Sequence, residues 1–174
     1  EAFQKAIRSL EIGRYGLGFA KDFNAKTKED LLKLLITPSS ERHFIMYEAL
    51  RKGATVDEIF EITKVKKYFI EQMKELVDEE EALLACKGAL PSDAQLISAK
   101  KNGFSDKYLS QLLAVSEDDV RNRRIELGVE EAWEGIHVSG TKDSAYYYST
   151  YDAPDKTPVN SDKPKIMILG GGPN

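Results

Sequence analysis

The chain has 174 residues, 41% apolar and 31% charged, with a net charge of −4 and an isoelectric point near 5.4. That length supports one domain or two small ones with a self-sufficient core, and the acidic balance argues against a general nucleic-acid binder. No run of about 18 apolar residues offers a membrane span, and the charged opening EAFQKAIRSL lacks the apolar core of a secretion signal. Without an initiator Met, the chain is expected to begin inside a longer protein or after processing. Its single cysteine, Cys86, cannot close an internal disulfide; it reads as a small buried hydrophobe of a reducing compartment, and the expected location is the cytoplasm.

In chain order the first 130 residues read as capped helices. EAFQKAIRSLEIG predicts a helix closed at Gly13, followed by the irregular stretch RYGLGFAKDFNAK. Thr27 caps KEDLLKLLI, with Asp30 three residues on, and Pro38 ends it. Ser39 or Ser40 is expected to start ERHFIMYEALRK, which Gly53 closes. Thr55 and Glu58 form a capping box before VDEIFEIT. The longest helix begins near Lys66. Phe69, Met73, Leu76 and Leu83, flanked by Ile70, Val77 and Leu84, make an apolar stripe along it. The acidic run Asp78–Glu81 breaks the stripe at Glu80 and reads as a solvated face; a metal cluster would need convergent partners. Three more helices follow: DAQLISAKK after Pro91 and Ser92, DKYLSQLLA after Ser105, and EDDVRNRRIEL after Ser116, ended by Gly128. Beyond it SAYYYSTY is a strand or an extended packing segment. DAPDKTPVNSDKP is a proline-rich linker, and KIMIL followed by GGGPN is a buried strand running into a glycine loop, half of a nucleotide-binding α/β unit. The predicted class is all-α, with two small helical subdomains and short extended segments near the C-terminus.

An internal echo sits at an offset of about 50 residues. RKGATVDEIFEITKVKKYFI aligns with KNGFSDKYLSQLLAVSEDDV, so Gly53 pairs with Gly103 and Thr55 with Ser105. Ile59, Ile62, Val65 and Ile70 pair with Leu109, Leu112, Val115 and Val120. Each unit exposes one apolar side, so burial favours packing the two together. The pattern also resembles a DNA-binding helix-turn-helix, with Arg121, Arg123 and Arg124 on the second helix. Glu117, Asp118 and Asp119 stand at the end that would enter the groove and would repel phosphate.

Reactive constellations are sparse. His43 and His137 carry no metal-ligand spacing, and His43 beside Phe44 reads as a core-edge or interface residue. GRYGLG follows a helix rather than a strand, which favours a connecting loop over a dinucleotide site. No GxSxG elbow or complete P-loop is present.

FQKAIRSLEIGRYGLG, ERHFIMYEALRKGATVDEIFEIT, KNGFSDKYLSQLL and AYYYSTY, in that order, resemble the middle of the carbamoyl-phosphate synthase large chain. KIMILGGGPN resembles the start of that family's second synthetase half. The resemblance implies that residues 1–13 end the first half, 14–151 form the helical oligomerisation domain, 152–164 are a linker, and 165–174 open the second half. For the parent it implies a glutamine-hydrolysing ligase of arginine and pyrimidine biosynthesis. That enzyme makes carbamoyl phosphate from bicarbonate, two ATP and glutamine-derived ammonia, with magnesium or manganese and potassium, and it is allosterically controlled. The implied partners are the two ATP-grasp halves, a small glutamine amidotransferase subunit and a second copy of the chain, with neither nucleic acid nor membrane. No catalytic, cofactor-binding or metal-binding residue carries over to these positions, so the piece alone is expected to be inactive. Apolar positions that an intrachain core cannot absorb are the candidate interface: Phe44, Tyr47, Tyr68 and Phe69, for which plain core is the competing reading. Two departures stand out. Tyr68 replaces a tryptophan common in the family, and EAWEGIHVSGTKDSAYYYSTY stands where many members have a longer stretch like VDTCAAEF before the tyrosines.

Overall fold

The computed structural model describes residues 1–19, 23–140, 145–156, 162–164 and 166. Eight helices form among them: α1 Ala2–Ser9, α2 Lys28–Leu35, α3 Arg42–Arg51, α4 Val56–Thr63, α5 Lys67–Leu84, α6 Asp93–Lys101, α7 Asp106–Leu113 and α8 Glu117–Glu126. A 3₁₀ turn at Phe23–Ala25 precedes α2. Strands β1 (Ala132–His137) and β2 (Ala145–Thr150) close the described order. The class is all-α with short extended segments near the C-terminus. The strand and glycine loop expected over 165–174 lie outside the described residues apart from Ile166.

The caps form where side chains reach back to free backbone donors. Thr27 accepts from Asp30 N, Ser105 from Tyr108 N and Ser116 from Asp119 N. Thr55 with Glu58, and Ser92 with Gln95, make complete boxes. Two expected boundaries move. α1 stops at Ser9 rather than Gly13, and Glu11 turns left-handed at φ 52°. Leu10 and Ile12 are both exposed, so no core remains to hold another turn. α3 starts at Arg42 without a serine cap, after a turn in which Arg42 N donates to Ser39 O. Glu41, at the cap position, pairs its carboxylate with Arg14 at 3.2 Å.

The echo is real in the backbone. Ala54 N and Phe104 N each donate to the carbonyl five residues back, Ala49 and Ala99. Gly53 and Gly103 hold φ 86° and 90°. The short helices after them both end in a left-handed residue, Lys64 at φ 56° and Ala114 at φ 55°. The two units share one continuous core containing Ile59, Ile70, Leu109, Leu112 and Val120, with α5 packed on α7 as well as on α3 and α4. Cys86 is half-buried against that core.

The two glycines make a paired test. A Cβ on Gly53 would meet nothing within 4 Å, whereas on Gly103 it would lie 2.8 Å from Glu1 Cα and 2.9 Å from Glu1 O. Gly53→Ala is expected to cost only the left-handed penalty of about 1–2 kcal/mol. Gly103→Ala should cost a further ~1–3 kcal/mol because α1 must shift. Urea denaturation of both variants reads the difference; equal costs would contradict it.

β1 was not foreseen. It pairs antiparallel with β2, placing Trp133 opposite Ser149 and Ile136 opposite Tyr146. The ribbon is tied to the helices at its base. Lys5 donates to Ser149 Oγ at 2.9 Å, Thr150 hydrogen-bonds Glu1, and Lys101 pairs with Asp152. Trp133, Tyr146, Tyr147 and Tyr148 are exposed.

Candidate docking surface and the polar node beneath it

The four aromatics expected at an interface divide two and two. Tyr68 and Phe69 are 62% and 52% exposed, edge to face at 5.4 Å. Phe44 and Tyr47 are instead core, at 2% and 0%, which corrects the expectation for that pair. α3 is covered along most of its length, so its apolar residues have chain on every side. Phe44 stacks beneath the Arg14 guanidinium, 4.0 Å from the ring centroid.

Tyr68 and Phe69 rim a trench along α5. One part, about 260 Å³, has Phe3, Met73 and Leu76 in its lining together with Glu1, Gln72, Glu75 and Asn102. It continues past Phe3, Phe69 and Met73 into a second part of about 310 Å³, walled by His43, Met46 and Val65. Phe69 was expected in the buried stripe. The stripe actually buried keeps Met73, Leu76 and Leu83 with Ile70 and Val77 beside them, gains Glu80 and leaves Phe69 out. His43 lies edge-on to Phe3 at 5.6 Å. Its imidazole is held below the usual histidine range, first by burial and then by the adjacent Arg42. Core edge and groove wall are both true of it.

Behind the trench lies a feature opposite to the expected solvated face. Glu80 is wholly buried. Tyr47 and Tyr108 donate to its Oε2 at 2.6 and 2.8 Å, and Arg51 Nη1 donates to Oε1 at 3.2 Å. Burial raises the Glu80 carboxyl, while the two hydroxyls and Arg51 pull it back. Burial, and then the facing carboxylate, drive both tyrosines well above the ordinary phenol value. Arg51 also reaches Glu81 at 2.9 Å and Glu48 at 3.6 Å. The loop after α1 closes on this node: a Cβ on Gly18 would lie 2.2 Å from Tyr108 Oη and 2.7 Å from Glu80 Oε1. The GRYGLG segment is therefore a packing loop in which Gly16 and Gly18 let backbone touch Tyr108. A carboxylate on an apolar helix stripe was the sequence signal for this node, since a charge there needs partners.

Two of the three arginines on the basic helix of the DNA-binding alternative, Arg123 and Arg124, are occupied, while Arg121 is exposed. Arg123 grips Asp93 at 2.7 Å and Glu126 at 2.9 Å; Arg124 donates to Asp106 at 2.7 Å and to Val129 O. Among the described residues, no group of three or more His, Cys, Asp or Glu could hold a metal ion. No helix of the described residues is long and apolar enough to cross a membrane.

Fold and surface together define a helical body with a trench rimmed by Tyr68 and Phe69. Residues 1–128 match the family model of the carbamoyl-phosphate synthetase large chain, oligomerisation domain, and the chain belongs to that family. It is 40% identical over its whole length to the arginine-specific carbamoyl phosphate synthase large chain of Arabidopsis thaliana, a chloroplastic protein. Identity is 37% to the large chain of Synechocystis and 38% to that of Archaeoglobus fulgidus, again over all of this chain. The chain spans 15–17% of the length of these relatives.

Proposed function

We propose that these residues are the assembly and spacing segment of a carbamoyl phosphate synthase large chain, with no reacting group of their own. The trench rimmed by Tyr68 and Phe69 carries this reading. Two large exposed aromatics over Phe3, Met73 and Leu76 make an anchor of the kind found at protein interfaces. A second copy of the chain, related by a two-fold axis, is the proposed occupant. Tyr68 supplies the anchor that tryptophan supplies in many members.

The parent reaction proposed from the family is synthesis of carbamoyl phosphate from bicarbonate, two ATP and ammonia, the ammonia coming from glutamine on a small amidotransferase subunit. It would serve arginine and pyrimidine formation in the cytoplasm; the plant relative's name places that protein in the chloroplast. ATP, magnesium or manganese, and potassium would be held by the two ATP-grasp halves. α1 is proposed as the end of the first half, residues 14–151 as the spacer and 152–164 as the linker. Fixed geometry between the halves would let unstable intermediates pass without meeting bulk water.

Replacing Tyr68 with Asp in the full-length large chain is expected to shift sedimentation to a smaller species. A charge at the centre of a packed patch weakens association by ~10–100-fold. Unchanged sedimentation of a folded variant would remove the trench from assembly.

A further inference from the structure

A second recess, about 280 Å³, lies on the other side of α1, between that helix, the turn leading into α7, α8 and the end of β2. It is polar. Five cations line it (Lys5, Arg8, Lys100, Lys107 and Arg124), with four carboxylates, Glu1, Asp106, Glu117 and Glu131. Each carboxylate is engaged. Asp106 takes Lys100 on one oxygen and Arg124 on the other, both at 2.7 Å. Glu117 faces Lys107 at 3.4 Å. Glu131 accepts from Tyr151 Oη at 2.6 Å. Glu1 hydrogen-bonds Thr150 and lies 3.8 Å from Lys5.

The cation left over is Arg8. Among the described residues it forms no ion pair; Nη1 donates to Gly103 O at 2.7 Å. Its guanidinium is half-buried and its basicity is lowered, chiefly by that burial. A guanidinium presents five donors in a planar fork suited to an oxyanion. The lining thus sets five cationic side chains against four carboxylates, and Arg8 is the one of the five without an ion pair among the described residues. Tyr15 and Tyr151 flank it with ring surface.

We propose that this cleft binds a small organic anion through a single carboxylate or phosphate group held by Arg8. The site shares Glu1 with the lining of the Tyr68 trench, but the proposal does not rest on the assembly reading. The anion would bridge α1 to the turn before α7 and to β2, three segments far apart in sequence.

Isothermal titration of the 174-residue chain at constant ionic strength, with inorganic phosphate in one arm and acetate in the other, tests this. Saturable binding of at least one anion is expected, weakened about tenfold or more by Arg8→Met. The arm that binds identifies the group. An Arg8→Met chain that binds as well as the native one would overturn the proposal, as would no binding in either arm. Should Arg8→Met fail to fold, the Arg8 Nε–H resonance of the native chain is followed by NMR during the phosphate and acetate titrations. It must move in at least one of them; a static resonance in both refutes the site.

Discussion

Glu80→Ala is expected to destabilise the chain by about 3–5 kcal/mol, the loss seen when one member of a buried charged network is removed. The truncation leaves two buried tyrosine hydroxyls and one arm of Arg51 without their acceptor. Glu80→Gln should cost less, about 1–3 kcal/mol. Its carbonyl keeps both tyrosines, but its amide turns a donor toward Arg51. The pH dependence separates the two effects. Burial raises the Glu80 carboxyl in the folded state, so its protonated form is favoured there relative to the unfolded chain. That contribution is complete below the unfolded carboxyl value, and it fades as pH climbs through the raised folded value. The stability advantage of the native chain over Glu80→Gln should therefore narrow with rising pH from about 4 upward. Paired denaturant titrations read it; an advantage that widens over that range would mean that the hydrogen bonds outweigh burial.

Gly18→Ala is expected to cost about 3 kcal/mol, at the upper end for overpacking. The added carbon would come 2.2 Å from Tyr108 Oη, and that hydroxyl cannot swing away without abandoning Glu80. The cost should therefore depend on the hydroxyl. In a double-mutant cycle, Tyr108→Phe ought to recover part of it, with a coupling of ~1–3 kcal/mol. Strict additivity in chemical denaturation would show that the loop relieves the contact by moving its own backbone.

Local rules made the helical repeat readable. Thr55 and Ser105 sit two residues after a glycine, and their caps and left-handed glycines need only neighbours in sequence. The same rules placed α1's end too late, because Leu10 and Ile12 continue an apolar pattern that finds nothing to pack against. Burial of Phe44 and Tyr47 was open in the sequence for a related reason. A helix apolar on several sides says that it is covered, and not by which chain. Glu80 was misjudged because its acidic neighbours suggest water, while its partners Tyr47 and Tyr108 lie about 30 residues away on either side. β1 was missed because AWEGIH has little alternation, and its strand character comes from pairing with β2. The Arg8 cleft draws residues from Glu1 to Tyr151, so no local spacing could have announced it.

The claim on which the account rests is that this segment self-associates through the face bearing Tyr68 and Phe69. Sedimentation equilibrium of the 174-residue chain over a wide concentration series measures it most directly. The account predicts a mass that rises toward twice the monomer at high concentration, and a Tyr68→Asp chain that stays monomeric with its helical spectrum intact. A native chain that stays strictly monomeric at every concentration would contradict it.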